Sequence, residues 1–279
     1  MNTYSILINT TDSFEDCWVP FFTLFKKYWP DYTGKIYLNT ETKVFTFSGL
    51  NIVSIQNNKS TPDIKITWSQ CLLRALNSID DEVILYMQED YFLKDDVKND
   101  IVEKYVNMMK ENSAIHCIHL TDQTVIPEKK SERFEGLYTV ILKQRYRISC
   151  QTALWRKDIL KSYIRTYENA WQFEEFGSKR AAISNDNFYV VDNTWVKLNQ
   201  FEIIPYIFTG IIQGRWYEET VPLFAKHNIQ VDYTKRGFVK DAKQKPLSKK
   251  IKDNCKRIPV LLQHNLEILK NKLYTSNSK

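Results

Sequence analysis

The sequence predicts an α/β protein with a mostly parallel central sheet flanked by helices, and three observations lead there. Short apolar runs alternate with stretches of helical period through the first half of the chain. One run, Val83 to Met87, is apolar at every position before ending in Gln88-Glu89-Asp90, as a strand buried on both faces does. Glycine is scarce, at 7 residues in 279, and neither G-x-G-x-x-G nor G-x-x-x-x-G-K-[ST] occurs. That removes the standard dinucleotide-binding and P-loop classes.

The elements follow in order. Ser5 to Asn9 is a first strand running into the polar turn Thr10-Thr11-Asp12-Ser13. Phe14, Trp18, Phe21, Phe22 and Phe25 then recur at helical spacing, with Asp12 or Ser13 as N-cap and a stop before Pro30. Lys35 to Asn39 is a second strand, and Val44 to Ser54 holds a third. Thr67 to Ile79 is a helix packed through Trp68, Leu72, Ala75 and Ile79. Asp100 to Met109 is helical and Ala114 to Leu120 extended. Tyr138–Leu142 and Tyr146–Trp155 read as extended, Lys157–Tyr167 as helical, Ile203–Ile212 as extended, and Thr220–His227 as a last core helix. Residues 1–232 form the principal domain on this reading.

Beyond it lies a basic extension, 233–279. From Lys235 onward it carries 13 Lys and Arg against 3 Asp and Glu, so the tail is strongly basic while the remainder of the chain is near neutral. Val260, Leu261, Leu262, Leu266, Ile268, Leu269 and Leu273 give it the pattern of a surface helix. A solvated tail and contact with an anionic membrane are the two leading readings. No nucleic-acid partner is expected, because no RRM, KH or zinc-finger context accompanies the charge. The five cysteines (Cys17, Cys71, Cys117, Cys150, Cys255) are odd in number and widely spaced, as buried free thiols of a reducing compartment are. With no signal peptide and no membrane-length apolar run, the expected location is cytoplasmic.

Chemistry concentrates where the strands end. In open α/β sheets ligands bind beyond the carboxyl ends of strands. Glu89-Asp90-Tyr91, Thr10-Thr11-Asp12 and Asn39-Thr40-Glu41 would meet at one such edge. The plain alternative for the carboxylate pair is a solvated acidic loop. Glu168 to Ser178 mixes carboxylates with aromatics in a way unusual for a clean helix or strand. His116 and His119, three apart in an extended segment, make a poor metal pair. His227 and His264 have no recognisable partners in the sequence.

Trp68-Ser69, Tyr86-Met87-Gln88-Glu89-Asp90-Tyr91-Phe92-Leu93, Gln151-Thr152-Ala153-Leu154-Trp155-Arg156 and Trp171-Gln172-Phe173-Glu174 resemble, in this order and spacing, bacterial glycosyltransferases of the GT-A fold. The resemblance is to the small capsule and lipopolysaccharide enzymes and spans residues 4 to 232, with Gly210 to Trp216 a weaker match. It implies a nucleotide-sugar donor at the sheet edge, held by Thr10, Thr11, Asp12, Asn39, Trp68, Arg74, Glu89, Asp90 and Tyr91. It implies a glycan or lipid-linked oligosaccharide acceptor near Gln151, Trp171, Phe173 and Arg215. Asp90 matches the last carboxylate of the family's D-x-D motif, which binds Mn²⁺ or Mg²⁺, whereas Gln88 replaces the first. Two ways of neutralising the diphosphate therefore stand: a divalent cation at Asp90, or basic side chains among Arg74, Arg145, Arg147, Arg156, Arg180 and Arg215. Glu174 is the expected base for the acceptor hydroxyl, with Glu175 as its fallback. A nucleotidyltransferase and a non-catalytic carbohydrate-binding protein are the rivals; Thr10-Thr11-Asp12-Ser13 speaks against the first and Gln88 for the second.

Overall fold

The computed structural model describes residues 4–241 and 257–270. Its strands are β1 (Ser5–Asn9), β2 (Lys35–Leu38), β3 (Asn51–Ser54), β4 (Val83–Gln88), β5 (Cys117–His119), β6 (Pro127–Lys130), β7 (Leu137–Val140), β8 (Ala153–Arg156) and β9 (Phe188–Val191), with a small hairpin of β10 (Ile211–Ile212) and β11 (Arg215–Trp216). Its helices are α1 (Glu15–Tyr28), α2 (Trp68–Asn77), α3 (Asn99–Glu111), α4 (Lys157–Tyr163), α5 (Ala170–Ala181), α6 (Thr220–Lys226) and α7 (257–270).

The first nine strands form one sheet in the order β3-β2-β1-β4-β8-β5-β9-β7-β6. All point the same way except β7 and β8. The chain builds outward from β1 to β2 and β3, then returns to place β4 on the other side of β1. That reversal leaves a crevice beyond the carboxyl ends of β1 and β4, the usual ligand position in such sheets.

Strand periodicity sends alternate side chains into two cores. Ile6, Ile8, Val83, Leu85 and Met87 face α1, α3 and α6, where Phe21, Phe22, Phe25, Val102, Val106 and Phe224 are buried. Leu7, Ile84 and Tyr86 face α2, α4 and α5, against Leu72, Leu76, Leu160, Phe173 and Ala181. The layered α/β architecture and mostly parallel sheet match the sequence expectation, and a C-terminal helix is present.

Several boundaries differ. Only Asn51–Ser54 of the expected third strand pairs in the sheet. Phe45 and Phe47 belong to a loop laid over α1, at 5.4 and 6.3 Å from the Phe22 ring, with the Phe45 backbone held by Ser54 Oγ. Asp12 does not cap α1; its carboxylate instead accepts from the Glu41, Thr42 and Lys43 backbone N–H groups and from Thr42 Oγ1. Of Tyr146–Trp155 only the end enters a strand. Of the expected extended run 203–212, residues 203–210 lie alongside 90–98 as irregular chain, since Pro205 has no N–H for a ladder, and only Ile211–Ile212 forms a strand, β10. Chain beyond the expected boundary at 232 is still packed: Tyr233 lies against Trp216, and Arg236 pairs with Asp16 at 2.6 Å. His227 bonds Tyr28 Oη at 2.7 Å, and His264 is buried on the Phe176 ring at 4.4 Å, so both have partners. Cys255 lies outside the described residues; the other four cysteines are buried free thiols.

His119 makes stability pH-dependent. It is fully buried, and burial lowers its pKa from 6.5 to about 4, against the opposing bond to the Arg147 carbonyl. The unfolded chain takes up this proton near 6.5 and the folded chain does not. Stability from this group is therefore complete above pH 6.5 and is lost as pH falls toward 4, by about 3 kcal/mol. His119→Gln should flatten the fall in urea midpoint across that window; equal falls in variant and wild type would contradict the assignment.

Candidate active site

A cavity of about 400 Å³ occupies the crevice beyond β1 and β4. One wall is the β1 end, Asn9, Thr10 and Thr11; the floor is Gln88, Glu89, Asp90 and Tyr91 from the β4 end. The opposite wall is Trp68 of α2 with Asn169, Ala170, Trp171 and Glu174 of α5, and Thr209, Ile211, Gln213 and Gly214 close it from the C-terminal side.

The carboxylates at the β4 end are buried, Glu89 at 5% and Asp90 at 6% exposure. Burial pushes the Glu89 pKa well up and the like charge of Asp90 adds to it, while Arg236 and a hydrogen bond from Thr10 oppose. Thr10 is itself fixed by Trp18, whose Nε1–H donates to its hydroxyl at 2.9 Å. Burial also raises Asp90, restrained by donors from one loop: Thr209 Oγ1 at 2.7 Å and the Ile211 N–H at 3.1 Å, both to Oδ2. The Gly210 N–H bonds the Asp90 carbonyl at 2.9 Å.

Across the cavity, Glu174 is positioned by the start of α5. Asn169 and Gln172 form a capping box there, each side chain bonding the other's backbone N–H. The α2 and α5 ends are tied together, Ser69 Oγ donating to the Glu168 carbonyl at 2.7 Å. Behind them the Arg180 guanidinium grips the buried Glu168 carboxylate at 2.6 and 2.7 Å. Glu174 Oε1 accepts from the Cys150 N–H at 2.8 Å, and burial raises its pKa above the ordinary value.

The structure therefore brings together Thr10, Thr11, Trp68, Glu89, Asp90, Tyr91, Gln151, Trp171 and Glu174 of the residues expected from sequence. Gln151 is locked in the floor, its amide donating to Tyr91 Oη and accepting from Tyr206 Oη, each at 2.9 Å. Others stand elsewhere for identifiable reasons. Asp12 is spent on the 41–43 loop. Asn39 sits one layer back, bonded to Asn9 and Asn57. Phe173 is core, packed on Trp68 at 5.5 Å. Glu175 lies on the far side of α5 with Lys179 and Arg257; burial pulls its pKa up, but these two cations hold it below the ordinary value.

The arginines expected to neutralise a diphosphate are engaged away from the cavity. Arg74 bonds the Asn57 carbonyl, Arg147 the Val140 carbonyl, Arg156 pairs with Glu82, Arg180 with Glu168, and Arg215 bonds the Arg236 carbonyl. Arg145 lies over the Tyr146 ring. Among the described residues, no Lys or Arg lines the cavity, which holds three carboxylates. Glu89 and Asp90 are oxygen donors suited to a hard divalent cation, and such an ion would relieve their mutual repulsion. Among the described residues they have no third His, Cys, Asp or Glu to complete a cluster, so diphosphate and water would fill the remaining coordination. Asn169, Cys150, Thr209 and Gln213 were not expected from sequence. The Asn169-x-x-Gln172 spacing was the readable signal for the first; the others reach the cavity only through tertiary contact.

Comparison with protein-family models and with curated proteins finds no match. Among solved structures the chain is similar to Staphylococcus aureus TarS 1-349, at 11% identity and TM-score 0.40, over 69% of this chain and 58% of that one. It is similar to a mycobacterial protein at 11% identity and TM-score 0.42, over 68% and 65%. A third is glucosyl-3-phosphoglycerate synthase from Mycobacterium tuberculosis, in complex with Mn²⁺, uridine diphosphate and glucosyl-3-phosphoglycerate, at 10% identity and TM-score 0.40, over 68% and 72%. The match spans less than two thirds of the first two of these chains. Likenesses this distant carry neither activity nor substrate to this chain.

Gly210 permits the close approach that holds Asp90. A Cβ there would lie 2.2 Å from Phe92 Cε2 and 2.9 Å from the Asp90 carbonyl oxygen. Gly210→Ala should lower stability by about 1–3 kcal/mol through overpacking, read as a lower urea midpoint. An unchanged midpoint would show that the loop does not press on β4 as described.

Proposed function

We propose that this chain is a GT-A-type glycosyltransferase, moving a sugar from a nucleotide-sugar donor to a glycan or lipid-linked oligosaccharide in bacterial surface-polysaccharide assembly. On this reading residues 1–232 supply the transferase and 233–279 an extension, working at the cytoplasmic face of the plasma membrane. The observation that carries the proposal is the opposition, across one cavity, of the buried Glu89-Asp90 pair and the half-buried carboxylate of Glu174.

The two sides suit different halves of a transfer. Thr10 and Thr11 offer hydroxyls to the nucleotide, and the β4 end receives the diphosphate. A divalent cation, Mn²⁺ or Mg²⁺, held by Asp90 and Glu89 would supply neutralisation of the leaving charge. Trp171, 73% exposed at the rim, offers an aromatic face to a sugar. The acceptor oxygen attacks the anomeric carbon as the bond to the diphosphate breaks, and its proton passes to Glu174. A raised carboxylate pKa favours that last step, since a base works best near the pKa at which it can also hold the proton. Direct displacement of this kind inverts the anomeric centre. The nucleotidyltransferase alternative lacks a glycine-rich loop and lysine after β1. The non-catalytic binder keeps one observation in its favour, the neutral Gln88 in the cavity floor.

The test is nucleotide release from a panel of UDP-, GDP- and CMP-sugars, with and without acceptor glycans. Glu174→Gln should lower turnover by about 10²–10⁴-fold with an unchanged melting temperature. Glu175→Gln, which removes only the ion pairs to Lys179 and Arg257 on the far side of α5, should stay within about threefold of wild type. Equal turnover in wild type and Glu174→Gln would discard the base assignment. Binding of a donor with no turnover under any condition would favour the non-catalytic reading.

A further inference from the structure

Helix α7 carries an apolar stripe that nothing in the described structure covers. Ile258, Leu262, Leu266 and Leu269 are each more than half exposed. Their spacing of four, four and three places them within an arc of about 80° on the helix surface. The opposite side is the one that docks: His264 is buried on Phe176, and Glu267 pairs with Arg165 and bonds Tyr167. The helix is thus anchored on the side of His264 and Glu267, where Val260, Leu261 and Ile268 are half-buried, and still shows Ile258, Leu262, Leu266 and Leu269 outward, an exposed apolar stripe that a solvated surface helix lacks.

Charge identifies the occupant. The segment from Lys235 to Lys279 holds 13 basic residues against 3 acidic ones, with Arg257 and Lys270 at the two ends of α7 itself. An apolar stripe bordered by basic residues matches the interfacial region of an anionic bilayer, where the leucines enter the acyl boundary and the cations meet phosphates. No described helix is long and apolar enough to cross a membrane, so the fitting geometry is a helix lying in the plane.

The position of α7 gives the contact a consequence. Arg257 and Val260 wall a groove whose other side is Asn169, Trp171 and Gln172, and Asn169 and Trp171 also line the active-site cavity. We propose that Ile258, Leu262, Leu266 and Leu269 seat this protein on an anionic lipid surface and hold the cavity mouth against it. A lipid-anchored acceptor would then approach Trp171 and Glu174 along that groove. The lipid contact itself does not depend on the glycosyl-transfer reading, because it is measured without substrate.

The experiment is co-sedimentation of the full chain with vesicles of equimolar phosphatidylcholine and phosphatidylglycerol, with phosphatidylcholine vesicles as the comparison. Wild type should partition onto the anionic vesicles, and the Leu262→Glu/Leu266→Glu variant at least about tenfold less, with the same melting temperature. A single Leu266→Trp variant, which retains the apolar stripe, should show a blue-shifted Trp emission only with anionic vesicles. Equal partitioning of wild type and the Glu variant, or none by wild type, would overturn the proposal. So would light scattering that finds a wild-type dimer and a monomeric Glu variant, because the stripe would then be covered by a second copy.

Discussion

Two adjacent carboxylates at the buried end of β4 are the constraint on which the rest of the site depends. Charges taken from water cost free energy unless donors or cations meet them, and here the supply is partial. Thr209 and the Ile211 N–H reach one oxygen of Asp90. The 203–212 segment is held beside 90–94 by backbone bonds such as Ile207 N–H to the Phe92 carbonyl, which keeps those donors in place. What is left is an incompletely satisfied carboxylate pair facing a cavity that no described basic side chain lines, an arrangement that favours a cationic or metal-bearing ligand.

The second support is α5. Its start is set by the Asn169–Gln172 capping box, and its inward face is pressed close at Gly177, where a Cβ would meet Ile148 Cγ2 at 3.2 Å. The Glu168–Arg180 pair ties the start of α5 to its last turn in a fully buried setting. Removing either partner of such a pair leaves an uncompensated charge, at a cost of about 3–5 kcal/mol. Successive helical residues diverge by about 100°. With Phe173 turned to the core, Glu174 therefore meets the cavity and Glu175 meets Lys179 and Arg257. The facing of the two glutamates is a consequence of how α5 packs.

Much of the sheet was legible in the sequence because Ile6–Ile8 of β1 and Val83–Met87 of β4 are unbroken apolar runs, as a strand buried on both faces requires. The strand-end residues Thr10, Thr11, Glu89 and Asp90 followed from that alone. The flanking pieces were harder for a physical reason. Phe45 and Phe47 alternate like a strand, yet pack onto α1 from a loop. Helix α5 turns mixed polar and aromatic residues toward a half-polar cavity, so its apolar period is weak, although its capping box was in plain view. Asp12 and, apart from Arg145, the arginines are residue types that suit a donor site, but each is engaged by a neighbour that only the folded chain supplies. Thr209 reaches Asp90 across more than a hundred residues of sequence, a contact that no local pattern encodes.

The central claim is that the Glu89-Asp90 end of β4 binds a diphosphate together with a cation. The most direct measurement is thermal stability of the wild-type chain with uridine, guanosine and cytidine diphosphates, each in Mn²⁺, in Mg²⁺ and in chelator. The account predicts a selective rise in melting temperature for one nucleotide, present with a divalent ion and absent in chelator. An equal rise in chelator, or no rise with any nucleotide for the folded protein, would contradict it.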